Sequence, residues 1–256
     1  MNMWLLLFRK EMIEGARNYK WLWIPLVFAI FGISNPVTSH FLPEILKSSG
    51  VTEEAAKLIP EPTSAEVIVK SLSQYGSMGL LVLALAFMGI VAAERQSGSM
   101  IMVLVKPVSH VSYVTSKWAA MNVITLAAVA AGQLGTWYYT RLLFEDIALR
   151  AVLISGVVYA LWLVFVNTIT LLLSCVMKSL AGIAFVAVAA AACLTLLTQL
   201  LKGAMRWSPS RLTAEAGRIV QEGQASGSLW LILSVTVLLI ALMLALAVTA
   251  SRRLIR

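Results

Sequence analysis

Few residues of this 256-residue chain are of the types that perform chemistry, and their spacing does not suit catalysis. The two histidines are His40 and His110. The two cysteines, Cys175 and Cys193, fall in apolar segments without metal-type spacing and read as small packed hydrophobes. The adjacent acids Glu53 and Glu54 have the composition of a membrane protease's acid pair. They lie in a charged stretch between prolines, where a solvated helix face is the reading. The chain has no Gly-x-x-x-x-Gly-Lys-Ser/Thr loop to hold ATP phosphates, no Gly-x-Ser-x-Gly elbow and no His-Glu-x-x-His. No catalytic residue, metal site or bound cofactor is therefore expected on this chain. Energy for any driven process must come from another chain.

Composition places the chain in a membrane. Of its residues 60% are hydrophobic and 12% charged, whereas a soluble domain has about 25% charged residues. The formal charge of +8 does not point to nucleic acid, because the basic residues are scattered between apolar segments rather than gathered on one face. Their expected partner is the anionic lipid surface. The first residues do not resemble a secretory signal, so the N-terminus is expected to be retained.

Six apolar segments are long enough to span, at about residues 21–39, 72–93, 118–140, 151–176, 180–200 and 229–250. The expected fold is an all-α membrane protein, a single transmembrane domain over residues 1–256. Residues 3–20 set Trp4, Phe8, Met12, Gly15 and Tyr19 at helical spacing, opposite most of Arg9, Lys10, Glu14, Arg17 and Lys20. That pattern predicts an interfacial helix. Segments 40–71 and 201–228 are then outer connections, the first holding a short helix between prolines, the second an amphipathic or half-inserted helix. Placing both termini inside puts 11 Lys and Arg on the inner side against 9 outside. The positive-inside rule favours that orientation, and hence cytoplasmic termini.

The six segments contain no Asp, Glu, Lys, Arg or His. Ion-coupled carriers keep at least one such residue within the membrane, so a self-energised carrier is disfavoured. Polar residues do occur there, including Asn122 and Gln133, Asn167 and Thr168, and Thr195. Such groups join helices by hydrogen bonds or line a substrate path. Small residues four apart, such as Ala128 with Gly132 and Ala131 with Gly135, predict close helix packing, within one bundle or between two copies.

The segment between the second and third spans, residues 94–117, has structure of its own. Gly98 between Ser97 and Ser99 is a turn signal, and Ser99 can cap a short helix over Met100 to Val105, which includes Ile101 and Leu104. Lys106 and Pro107 stop that helix, and Ser109 caps a second one, in which His110, Tyr113 and Lys117 share a face. The apolar arm is too short to span and too apolar to stand in water. It either docks on a second chain or lies against the ends of its own spans.

Six spans, an interfacial first helix, and a loop reading Glu94-Arg95-x-x-Gly98-Ser99, apolar residues, then Lys106-Pro107-Val108-Ser109, with Tyr113 and Lys117 following, resemble the permease subunits of type-2 ABC exporters. The resemblance implies that this loop carries a coupling helix docking on a cytosolic ATPase subunit, which would hold ATP and magnesium. On this resemblance the coupling residues are Glu94, Arg95, Gly98, Ser99, Met100, Ile101, Leu104, Pro107 and Ser109. His110 departs from the arginine often found after that serine. The resemblance further implies a dimer of permeases in a prokaryotic plasma membrane, with the substrate path between them. The competing reading is a non-transporting immunity or scaffold protein. If the loop lies inside, a cysteine at Ser99, in a background without Cys175 and Cys193, will resist an impermeant thiol reagent in intact cells; labelling would reverse the topology.

Overall fold

A stripe of Trp4, Leu7, Phe8 and Gly15 along α1 (Met3–Arg17) gives this helix one face to lay against the bundle. Trp4 and Phe8 stack with ring centroids 5.4 Å apart, and the Trp4 indole donates to Thr115 Oγ1 at 3.0 Å. The chain then turns at Tyr19, whose φ of 56° is left-handed. That conformation is uncommon without glycine, and it ends α1 so that α2 can enter the bundle at a new angle. The computed structural model describes residues 3–48, 62–99, 108–201 and 203–253.

Among the described residues six helical crossings are long and apolar enough to span a membrane, and there is no strand. The first is α2 (Lys20–Ser48), which holds Pro25, Pro36 and Pro43. The second crossing, Ser64–Gln96, is built in pieces: α3 (Ser64–Gln74), a π-helical turn (Tyr75–Gly79), α4 (Leu80–Phe87) and α5 (Ala92–Gln96). The remaining spans are α6 (His110–Leu143), α7 (Leu149–Val176), α8 (Leu180–Leu200) and α10 (Leu229–Arg253). Between the last two lies α9 (Arg211–Glu222), amphipathic as expected, with Leu212, Ala216, Ile219 and Val220 buried against α7 and α3.

The helices outrun the apolar segments at several ends. The first span continues past residue 39, and the second begins at Ser64, where Thr63 and Glu66 form a reciprocal capping box. The ends of α2 and α3 thus extend into 40–71, while the short helix expected around Glu53, Glu54 and Lys57 falls in 49–61, outside the described residues. The third span starts at His110 rather than near 118, so Lys117 belongs to a spanning helix. Glu94 likewise ends the second crossing. The absence of ionisable residues from the spans therefore does not hold at the loop end of the bundle.

Two breaks in the second crossing are made good by neighbours. Around the π-turn, Tyr75 stacks on Phe28 at 5.3 Å, and its hydroxyl is 3.1 Å from Thr136 Oγ1. At the break between α4 and α5, Ser174 Oγ accepts from the N–H groups of Val91 and Ala92 at 3.1 and 3.0 Å. The same hydroxyl donates to the Met88 carbonyl at 3.0 Å, and Lys20 donates to the Ala86 carbonyl at 2.8 Å. Backbone groups freed by an interrupted helix inside a membrane need such partners.

The small residues pack within the bundle. A Cβ on Gly32 would stand 2.2 Å from the Gly132 carbonyl, so α2 and α6 touch backbone to backbone. Cys175 is buried, whereas Cys193 lies exposed on α8, contrary to the packed role expected of both. Gly32→Ala must force α2 from α6 and lose about 1–3 kcal/mol, seen as a lower thermal midpoint in detergent. Gly203→Ala, where a Cβ meets nothing within 4 Å, will leave the midpoint unchanged.

Candidate functional site

Helical period carries Lys117 into the core. From Tyr113, steps of three and four residues reach Lys117, Met121, Ile124 and Ala128, all buried in α6. Lys117 is only 1% exposed. A buried ammonium is tolerated only when its charge is answered nearby. Its Nζ lies 2.8 Å from Glu11 Oε1 and 3.0 Å from Glu94 Oε1, and 5.2 Å from the centroid of the Tyr113 ring.

These partners come from three separate elements. Glu11 projects from the bundle-facing stripe of α1, Glu94 from α5, and Tyr113 and Lys117 from the first turns of α6. The Tyr113 hydroxyl donates to Glu94 Oε2 at 2.5 Å. Lys10 closes the network from the outside, bonding Glu94 and standing 3.1 Å from Glu11 and 3.5 Å from Glu14. Burial alone would pull the Lys10 ammonium down, but the Glu94 and Glu11 carboxylates outweigh it and hold it above the usual lysine range. Two ammonium groups thus balance the two buried carboxylates. The carboxylates of Glu11, Glu14 and Glu94 fall within 4.8 Å of one another, and lysines supply their counter-charge.

Glu94 opens the 94–117 segment, so this network anchors its root. The next residues tie the root to the turn between α7 and α8: Arg95 donates to the Met177 carbonyl at 2.9 Å, and Gln96 to that of Lys178 at 2.7 Å. Gly98 then takes φ 74°, a left-handed value that suits glycine, with nothing within 4 Å of its Cβ position. The hydroxyls of Ser97 and Ser99 lie 2.9 Å apart, and both donate to the Glu94 carbonyl. Where the chain returns, Ser109 caps α6 by accepting from the Ser112 N–H at 3.1 Å. His110 faces the end of α10, its Nδ1 3.3 Å from Ser251 Oγ. Met100, Ile101, Leu104 and Pro107 lie outside the described residues.

The polar residues singled out within the spans fall into three environments. Asn167 donates to Asn122 Oδ1 at 3.2 Å and to Thr125 Oγ1 at 2.8 Å, while the Trp118 indole donates to Thr168 Oγ1 at 2.9 Å. This ladder joins α6 to α7. Gln133 is buried beside Gly156, its carboxamide unpartnered among the described residues. Thr195 lines a half-open cavity near the opposite end of the bundle.

Lys117 and Glu11 escaped a reading that looked for charge inside apolar runs. Their signal was positional: Glu11 sits four residues before Gly15 on the apolar stripe of α1, and Lys117 four after Tyr113 on the buried stripe of α6.

Among the described residues, six apolar helical crossings with a first helix packed on the start of α6 make this an all-α, multi-pass membrane protein. Residues 5–206 match the family described as ABC-2 family transporter protein, and the chain belongs to it. It is also 30% identical over 254 residues to the uncharacterized transmembrane protein YxlG of Bacillus subtilis (strain 168), covering 99% of this chain and 98% of that one.

Lys117→Met leaves two buried carboxylates with Lys10 alone and will cost about 3–5 kcal/mol, read as increased protease sensitivity and a lower thermal midpoint. Adding Glu11→Gln to Lys117→Met restores charge balance and will recover most of the loss. An equal deficit in the double variant would show that packing, not charge, is what Lys117 supplies.

Proposed function

We propose that this chain is the membrane-spanning permease subunit of an ATP-binding cassette exporter, with a separate cytosolic ATPase subunit docking on the segment between its second and third spans. The observation that carries the reading is the anchoring of that segment's root. Glu94, Arg95 and Gln96 are held by α1, by the start of α6 and by the α7–α8 turn. A push on the loop therefore reaches three parts of the bundle together. Family membership supports the transport role, and on this reading ATP and magnesium belong to the partner, since this sequence has no ATP-phosphate loop.

On this reading Met100, Ile101 and Leu104 form the apolar docking surface, entered at Glu94, Arg95, Gly98 and Ser99 and left at Pro107 and Ser109. The loop and both termini face the cytoplasm of a prokaryotic cell. Two permease copies, identical or paired with a close relative, enclose the substrate path. Gln133 and Thr195 are its candidate lining residues; Asn122, Asn167 and Thr168 hold α6 to α7 beside it.

The test uses the chain co-expressed with an ATPase subunit encoded beside it. Deleting Met100 to Val105 will abolish co-purification of that subunit and its permease-stimulated ATP turnover, while the chain stays inserted in the membrane. Unchanged turnover with the deletion would remove the docking role.

A further inference from the structure

At the end of the bundle away from Lys117, α8 packs on α4 and α7 while α9 packs on α7 and α3. A half-open cavity of about 620 Å³ lies in the cleft between them, and a recess of about 440 Å³ adjoins it along α8 and α9. Such volumes suit a compact organic ligand. Leu72, Tyr159 and Trp162 close the floor, each at most 2% exposed, so they back the cavity without offering a ligand any surface. The π-turn can lie on that floor because Gly76 has no side chain: a Cβ there would stand 2.8 Å from the Tyr159 hydroxyl.

The groups a ligand can reach lie on the walls, and most are polar. Ser73 and Ser77 are exposed on the second crossing, Gln199 on α8 and Gln221 on α9, with Thr195 and Thr213 half-buried between them. Polar groups exposed on spanning helices are costly against lipid, so the cleft holds water or a polar ligand. Gln199 sits in the last turn of α8, which places the mouth toward the water at that face.

The direction of the hydroxyls narrows the ligand. Each donates its own proton to a carbonyl three or four residues before it: Ser73 to Val69 at 3.0 Å, Ser77 to Ser73 at 3.3 Å, Thr195 to Ala191 at 2.9 Å and Thr213 to Ser210 at 2.8 Å. What they present to the cavity is acceptor lone pairs, so the ligand must bring donors. The Gln199 and Gln221 carboxamides both donate and accept, so the ligand must accept as well. Charge selects neither sign. Arg218 and Glu222 line the cavity 3.5 Å apart, and the recess adds Arg211 and the buried Glu215, so two guanidinium groups stand against two carboxylates. The apolar wall within reach is small, Val69 and Ala214, and the aromatic rings of the lining are buried.

We infer that this cleft is a binding site for an uncharged polyhydroxylated ring, a sugar, whose hydroxyls donate to Ser73, Ser77, Thr195 and Thr213 and exchange hydrogen bonds with Gln199 and Gln221. Calling the sugar a substrate rests on the permease reading, which it deepens with a substrate class.

Saturation-transfer NMR on the purified chain in lipid nanodiscs, without any ATPase, tests the site against empty nanodiscs. The probes are the methyl glycosides of glucose, galactose and mannose, the anionic uronate and cationic 6-amino counterpart of each, and cyclohexylmethanol as a six-membered ring with a single hydroxyl. At least one neutral glycoside will give a saturable signal, and its charged counterparts and cyclohexylmethanol will give weaker ones. Gln199→Leu will weaken that binding roughly threefold to tenfold, and Ala214→Phe will abolish it by filling the cavity. Both positions are exposed, so the thermal midpoint will not move. No saturable transfer from any neutral glycoside, tighter binding of a charged counterpart or of cyclohexylmethanol, or unchanged affinity in Gln199→Leu would each overturn the inference. Because no ATPase is present, failure here leaves the docking role of the loop standing, and loss of that role leaves this binding result standing.

Discussion

A lysine ammonium taken out of water at a membrane face costs several kcal/mol unless opposing charge comes with it. Lys117 meets that demand with two carboxylates from different parts of the chain, Glu11 and Glu94, and Lys10 then balances the second negative charge. Once that constraint is imposed, much else at this end of the bundle follows. The first helix must lie where Glu11 reaches inward. The second crossing must end where Glu94 meets Tyr113, and the loop that follows begins from a fixed point.

The bundle is held differently along its length. Charge fixes the loop end, backbone contact between Gly32 and Gly132 and the Asn122–Asn167 ladder fix the middle, and the far end opens into cavities. The second crossing runs through all three zones in pieces, with a π-turn near the cavity whose Tyr75 reaches Thr136 of α6, and a break near the loop bridged by Ser174 of α7. It joins the anchored loop root to the wall of the cavity.

The six crossings could be read from apolar length alone, because a spanning helix needs a long run of apolar residues and each segment supplied one. Their ends could not, since a helix continues while caps and neighbours satisfy its backbone. Thr63-Ser64-Ala65-Glu66 spells the capping box that starts the second crossing, and it was passed over as part of a polar connection. Lys117 reads from sequence as sharing a helical face with Tyr113 but falls just outside the apolar run of the third span, and its spacing to Met121 is what puts it on the buried stripe. The small residues of the third span did pack closely, and Ser109 did cap the helix after the loop. No local pattern announced the cavity at Tyr159, which depends on four helices meeting and on a glycine at a π-turn.

The contacts around Lys117 predict that α1, the loop root and the start of α6 move as one body. The most direct test is the distance between spin labels at Ile13 on α1 and Ser97 at the loop root, both on exposed positions. Pulsed electron resonance on the chain in lipid nanodiscs, alone and with the ATPase proposed to dock on it, should give one narrow distance distribution, the same without nucleotide and with ATP trapped. A broad distribution, or one that shifts with nucleotide, would show that the charge cluster does not hold these elements together.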